Sequence, residues 1–299
     1  KEWGLVDELA PAQNFMEHIR RRALEKAGED NGEKGVPLTP LKRTIKENAY
    51  HYTWIDAEID RSSRTATLTV KAPNEKPPLT PSAILAQGMD FWPLLMAREL
   101  DDAILMLRTN EEEIGIILLK TKGENETILE IDKVLAENQS HWFVRETIGM
   151  LRRTLSRLDV SSRSLFALIE NGSCFSGTLY ELALAADRSY MLDVPDDNGV
   201  SPKIALSDMN FGLLEMINSK SRLAVRFTDD DNKLNKLKLN VGTRYTAQKA
   251  EEEGLITFAP DDIDWDEEIR MATEERASLS PDALTGMEAN LRFPGTENV

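Results

Sequence analysis

Cysteine is nearly missing from this 299-residue chain. The single Cys174 excludes an internal disulfide framework and any multi-cysteine metal site, and it fits a reducing cytoplasm. Histidine is almost as scarce: His18, His51 and His141 lie far apart and form no metal motif. No apolar run approaches the roughly 20 residues that a bilayer-spanning helix needs. The chain opens at Lys1 without a charged n-region, an apolar h-region or a cleavage site, and stops at Val299 just after a helix-like segment. A piece of a longer polypeptide is therefore expected. Positive charge is in the minority, with 36 Lys+Arg against 52 Asp+Glu and a net charge of −16, which argues against nucleic acid or an anionic membrane as the main partner. What remains is ordinary for a globular protein: 41% hydrophobic and 29% charged residues, in a length that suits one large or two modest domains.

Periodicity divides the chain. Phe15, Ile19 and Ala23 form one stripe of a helix over 15–27. Residues 28–48, with Gly28, Gly32, Gly35, Pro37 and Pro40, have the composition of a linker. Tyr50–Ile59 and Thr65–Ala72 alternate apolar and polar residues around Asp60-Arg-Ser-Ser, as a β-hairpin does. A Pro-rich stretch, 73–81, separates the hairpin from the helical region after it. There Leu100, Ala103, Ile104 and Leu107 mark a core-facing helix, and Val144 to Leu158 a second. Ile114–Lys120 and Ser164–Ile169 are short apolar runs suited to strands covered on both faces, and Tyr190–Leu192 and Ile204–Leu206 are further candidates. The alternation of strand and helix predicts an α/β domain over 49–260, followed by a helical segment over 261–299. Asp261–Glu268 looks like an acidic helix start, with Asp264 and Glu267 spaced as a capping box.

One internal repeat stands out. Gly4-Leu5-Val6 recurs as Gly254-Leu255-Ile256, an offset of 250 residues. In the same gap-free register Phe15 meets Trp265, Glu17 meets Glu267, Ile19 meets Ile269, Arg20 meets Arg270, Glu25 meets Glu275 and Ala27 meets Ala277. Two amphipathic helices can look alike by chance. If they are true copies, residues 1–27 are the helical tail of an upstream module, and 50–277 a second copy of it.

The candidate site is the strand-to-helix turn Leu168-Ile-Glu-Asn-Gly-Ser-Cys-Phe-Ser-Gly-Thr-Leu-Tyr-Glu181. Glycines let a backbone approach a ligand closely, and the first free N–H groups of a helix can hold an oxyanion. A carboxylate one turn into that helix could serve as general acid or base. Most such turns do nothing but turn, and Glu181 is also favourable near a helix N-terminus as a dipole partner. Cys174 is expected to be a small buried residue. Trp92, His141 and Trp142 fit packing better than a ligand box. The clusters Arg20–Arg22 and Arg152, Arg153 and Arg157 either meet the phosphates of a ligand or, more simply, sit at solvated helix ends.

These residues resemble a family. Asn171-Gly172-Ser-Cys-Phe-Ser-Gly177 followed by Glu181-Leu-Ala-Leu-Ala-Ala-Asp187 is similar to the NG-x-A-x-GGG-x-x-L-A-x-x-x-D segment of the enoyl-CoA hydratase/isomerase (crotonase) superfamily. Ile204-Ala-Leu-Ser-Asp208-Met-Asn-Phe-Gly212-Leu resembles its next strand and P-E-x-x-x-G turn. Thr246-Ala-Gln-Lys-Ala250 through Ile256 resembles its T-A-x-E-A-x-x-x-G-L-V helix. Further stretches resemble the carboxy-terminal half of a double-length branch, the ring-opening lyases of aerobic benzoyl-CoA breakdown. They are Phe91-Trp92-Pro93, Ala97–Leu105, His141–Ile148, Asp159–Leu168 and Ser280–Arg292. The resemblance implies a crotonase-like spiral of ββα units and a cytoplasmic, homodimeric enzyme. Its reaction would open the ring of an epoxidised benzoyl-CoA, adding water and releasing formate, with no cofactor beyond the CoA thioester substrate.

The departures from the family pattern bear on this chain's role. Active members place one oxyanion-hole N–H in a G-x-F-S-A-G-A-D-like loop, where this chain reads Lys122-Gly-Glu-Asn-Glu-Thr-Ile-Leu129. The second donor survives at Gly177, but GGG is reduced to Ser176-Gly177-Thr178. One added residue before Glu181 rotates its carboxylate by about 100° around the helix. Loss of one oxyanion donor costs about 3 kcal/mol, a factor of about a hundred in rate. Asp208 stands where the family has its second catalytic Glu, with a shorter reach. The expectation is a decayed copy that packs on an upstream active module. The alternative is an autonomous acyl-CoA hydratase or lyase domain using Glu181 and Asp208, with Gly177 as oxyanion donor.

Overall fold

The computed structural model describes residues 1–28, 35–195, 201–228 and 230–292. Residues 29–34 of the expected linker and 293–299 of the carboxy-terminal segment lie outside the described residues. The chain divides into two compact units, Lys1–Pro37 and Leu38–Val299.

In the first unit a single 3-10 turn leads into helix α1 (Phe15–Ala27), which ends at Gly28 with a φ of +69°. The helix buries none of its residues, and Trp3, Leu5, Leu9, Phe15, Met16 and Ile19 are exposed. The basic cluster engages local partners: Arg22 pairs with Glu8 at 3.0 Å and Glu25 at 3.3 Å, and Arg21 donates to His18 Nδ1 at 2.9 Å.

The second unit is built on one seven-stranded sheet whose spatial order follows the chain: β1 (Thr44–Lys46), β2 (Ala49–His51), β3 (Ile55–Asp60), β4 (Thr65–Lys71), β5 (Ile116–Lys122), β6 (Ser164–Ile169) and β7 (Arg188–Met191). The first four pair antiparallel. From β4 onward the pairing is parallel, with register Thr65↔Ile116, Ile116↔Ser164 and Phe166↔Arg188. Parallel neighbours need crossovers, and helices supply them. Between β4 and β5 run α2 (Pro81–Gln87) and α3 (Trp92–Asn110); between β5 and β6 run α4 (Asn125–Glu137) and α5 (Trp142–Leu158). Between β6 and β7 runs α6 (Gly177–Ala185). The stripe Leu100, Ala103, Ile104 and Leu107 of α3 is buried, as is the stripe Val144, Ile148, Leu151, Leu155 and Leu158 of α5. Burying each such side chain is worth about 1.5–3 kcal/mol. All of β6 is buried, so its continuous apolar run has a physical cause. After β7 come β8 (Ile204–Ala205), α7 (Arg222–Arg226), α8 (Asp231–Leu239), β9 (Arg244–Tyr245), α9 (Ala247–Glu252), α10 (Trp265–Ala277) and α11 (Pro281–Arg292).

Several sequence expectations need revision. The stretch 28–48 contains β1, so the sheet begins inside the residues whose composition suits a linker. The strand expected over Tyr50–Ile59 is two strands, broken at Tyr52-Thr53-Trp54. There the buried Glu99 carboxylate accepts the backbone N–H groups of Thr53 (3.2 Å) and Trp54 (2.7 Å), which no strand then needs to satisfy. The capping box at Asp264 does not form; the Asp261 side chain instead accepts from the N–H groups of Ile263 and Asp264 at 3.0 Å each. Glu267 pairs with Arg270 at 2.6 Å. The short β8 pairs antiparallel with β9, a partner that composition did not reveal.

Both members of the repeat are helices. Both α1 and α10 are 13 residues long, and their bounds are 250 residues apart. Gly4 and Gly254 share a left-handed backbone, with φ of +71° and +69°. Burial differs: Leu255 is 1% and Ile256 3% exposed, against 80% for Leu5 and 46% for Val6. Trp265 and Ile269 of α10 pack against Ile116, Phe166, Leu168 and Tyr190 of the sheet.

Candidate functional site

The turn after β6 is held on every side. Cys174 N–H donates to Thr121 Oγ1 at 2.9 Å, Ser176 Oγ to Asn125 Oδ1 at 2.7 Å, and Glu170 pairs with Lys120 at 2.7 Å. Gly123, from the loop after β5, donates its N–H to the Gly172 carbonyl at 3.1 Å. This places an N–H of the region that departs from the family pattern in a backbone hydrogen bond.

At the start of α6, Gly177 has a φ of +46°. The helix N-terminus there favours an anion through the positive end of the helix dipole and the Thr178 N–H, the Leu179 and Tyr180 N–H groups already going to the Ser176 carbonyl. That position is filled by the chain itself. Asp132 of α4 accepts from Thr178 N–H at 2.7 Å (Oδ2), from Thr178 Oγ1 at 2.5 Å (Oδ1) and from Ser207 Oγ at 2.6 Å (Oδ2). A Cβ at Gly177 would overlap the Asp132 carboxyl group and lie 2.6 Å from Ser207 Oγ. Asp132 is buried with Ile128, Ile131 and Leu135 on the inner face of α4. Burial pushes its pKa up to about 7, against the pull of the Ser207 and Thr178 donors.

Glu181, one turn into α6, is 1% exposed. Asn210 Nδ2 donates to its Oε1 at 2.7 Å and Arg222 Nη1 to its Oε2 at 2.9 Å. Arg222 is itself held bidentately by Asp159, at 3.0 Å (Nε to Oδ1) and 2.7 Å (Nη2 to Oδ2). Asn210 Nδ2 also donates to the Gly177 carbonyl at 2.9 Å. Burial raises the Glu181 pKa while Arg222 and Asn210 oppose the rise. Burial also disfavours charge on Arg222, but Glu181 and Asp159 outweigh it and keep its pKa above the ordinary value. The Glu181 carboxylate is thus spent on a buried ion-pair network.

Asp208 lies on a one-turn 3-10 helix, Asp208–Asn210, and is exposed. The structure therefore separates the sequence candidates: Glu181 is inside, Asp208 is in solvent, and Gly177 faces the Asp132 carboxyl group. Three residues central to the network, Asp132, Asp159 and Arg222, were not singled out as functional from sequence. Asp132 had one legible signal, an acidic residue on the apolar face Ile128, Ile131 and Leu135. Arg222 and Asp159, 63 residues apart, had none.

The remaining candidates pack. Cys174 is fully buried, and burial pushes its thiol up to about 12, far from an activated thiolate. Trp92 is buried and donates Nε1–H to the Lys71 carbonyl at 3.2 Å. His141, Trp142 and Phe143 form a run of ring contacts. Arg157 pairs with Asp101, and Arg152 and Arg153 are exposed. A cavity of about 280 Å³ opens between Trp54, Pro73, Pro77, Phe91, Trp92 and Ile131. Among the described residues no three His, Cys, Asp or Glu side chains are placed to hold a metal ion, and no helix is long and apolar enough to cross a membrane.

A mixed sheet with sequential strand order, helical crossovers and a strand–turn–helix at Gly177 makes this a crotonase-like α/β fold. Solved structures share it: enoyl-CoA hydratase from Bacillus halodurans has a TM-score of 0.55 at 17% identity, covering 81% of this chain and 87% of that one. Human mitochondrial delta3-delta2-enoyl-CoA isomerase has a TM-score of 0.53 at 15% identity, covering 80% and 83%. In sequence, the chain is 53% identical over 302 residues to benzoyl-CoA-dihydrodiol lyase of Aromatoleum evansii. That alignment takes in 100% of this chain and 54% of the relative, so the chain spans about half the length of the curated protein it matches. No protein-family model matches the chain.

Proposed function

We propose that this chain is the carboxy-terminal scaffold half of a ring-opening CoA-thioester lyase. The whole enzyme would convert epoxidised, dihydrodiol-level benzoyl-CoA to a dehydroadipyl-CoA semialdehyde plus formate, in the cytoplasm and without metal or redox cofactor. The 53% identity to a benzoyl-CoA-dihydrodiol lyase supports the substrate class. The observation that carries the scaffold role is the Asp132 carboxyl group on the Thr178 N–H at the start of α6, held there also by the Ser207 hydroxyl, where a thioester oxygen would have to sit. The neutralised Glu181 and exposed Asp208 agree with it. Residues 1–27 then close an upstream crotonase module that holds the oxyanion hole and the catalytic carboxylates. This half packs on that module and supports a homodimer. An autonomous hydratase using Glu181 and Asp208 is disfavoured, because one carboxylate faces Arg222 and the other faces water.

Calorimetric titration of benzoyl-CoA into the 299-residue chain and into a protein carrying the upstream half tests this. Saturable binding is expected only with the upstream half present. Stoichiometric binding by the folded 299-residue chain, lost on Gly177 or Glu181 substitution, would overturn the scaffold role.

A further inference from the structure

Strand β6 and helix α6 each have a second end, remote from the Gly177 turn. There, beside Ser164 at the start of β6 and Leu184 at the close of α6, lies a cavity of about 240 Å³. Its polar lining is Arg163, Ser164, Asp187, Arg222, Arg226 and Arg276, an unusual concentration of guanidinium groups in a chain of net charge −16.

These groups differ in what already satisfies them. Arg222 is neutralised by Asp159 and Glu181. Among the described residues the Arg163 guanidinium donates only to carbonyls, those of Ser162 and Glu111 at 3.3 Å each; burial, and then the nearby Arg108, make its charge costly. Arg226 uses Nε on the Gly254 carbonyl at 2.6 Å, leaving the rest of its fork. The Arg276 side chain has no hydrogen-bond or ion-pair partner among the described residues. Ser164 Oγ is buried and has no partner either, a position that costs about 1–3 kcal/mol unless something fills it. Among the described residues Asp187 is the one carboxylate in the lining, and its Oδ2 accepts from Leu165 N–H at 2.8 Å. The other walls are apolar, with Leu184, Met216 and Val225.

We propose that this cavity binds a small organic monocarboxylate with an apolar body. The carboxylate engages the Arg276 and Arg226 forks and the Ser164 hydroxyl, and the body lies on Leu184, Met216 and Val225. A planar guanidinium matches a carboxylate bidentately. The apolar wall favours a hydrocarbon body over inorganic phosphate. This assignment is independent of the scaffold role, since no residue of the Gly177 turn or of Asp132 lines the cavity.

The test is titration of hexanoate, hexan-1-ol and inorganic phosphate into the 299-residue chain, followed by calorimetry and by melting temperature. Hexanoate is expected to bind saturably at one site and raise the melting temperature; hexan-1-ol and phosphate at equal concentration are not. Arg276→Gln, at a part-buried side chain without partners among the described residues, is expected to keep the fold and weaken hexanoate at least tenfold. Ser164→Ala is the second variant, with a smaller loss in the same direction. No saturable hexanoate binding, binding unchanged in both variants, or phosphate binding as tightly as hexanoate would each overturn the proposal.

Discussion

Asp132 shows how one side chain can redefine a turn. In the unfolded chain its carboxyl group titrates near 3.8; in the folded chain burial pushes it up to about 7. The folded state therefore holds its proton more tightly than the unfolded state between those values, and stability attributable to Asp132 falls as pH rises from 3.8 to about 7. Three pKa units correspond to at most about 4 kcal/mol. Asp132→Asn keeps the shape and has no proton to lose. Its stability relative to wild type is expected to increase steadily from pH 4 to pH 7 and then to level off, as read by urea denaturation at each pH. A constant difference across that range would mean that the carboxyl group is ionised throughout and that the helix N-terminus outweighs its burial. Glu181 teaches the complementary lesson. Its place in the motif was legible in the sequence, but its role was not, because the Arg222 that neutralises it comes 41 residues later with no motif of its own.

At the scale of elements, apolar periodicity gave away α3, α5 and β6 because each buries a continuous stripe or a whole strand. Helix α4 was not foreseen, although Ile128, Ile131 and Leu135 have helical spacing, because its first turn overlaps the loop compared with the family's oxyanion segment. The split of the first long strand was hidden for a different reason: it depends on Glu99, a residue of α3 brought in by the fold. The α4–α6 contact is where two such elements meet. Gly177 is needed there twice, for its positive φ and because a methyl group would collide with the Asp132 carboxyl group. Gly177→Ala is expected to cost more than the roughly 1–3 kcal/mol of backbone strain alone. Combining it with Asp132→Ala relieves the collision, so a double-mutant cycle should show a coupling of about 0.5–3 kcal/mol in the rescuing direction. Additive losses in denaturant midpoints would show that the two residues do not contend for the same space.

For the whole molecule, the repeat is the feature the sequence carried most openly, because an offset of 250 residues preserves both an apolar stripe and the left-handed glycine before it. Burial was not legible in either copy. In the second unit Trp265 and Ile269 cover the sheet at Ile116, Phe166 and Tyr190, while in the first unit Phe15 and Ile19 are exposed on α1. On the proposed reading, the equivalent sheet belongs to an upstream module and α1 is its cover. Replacing Phe15 and Ile19 together with Asp is then expected to leave the melting of the 299-residue chain unchanged, since neither side chain is buried in it. The same pair in a protein carrying the upstream half should lower the melting temperature by several degrees, as loss of one or two buried apolar side chains does. Trp265→Asp with Ile269→Asp serves as the internal control and should destabilise the 299-residue chain itself. If the Phe15 and Ile19 substitutions are silent in both settings, α1 is not the cover of an upstream sheet, and the 250-residue register is a coincidence of two amphipathic helices.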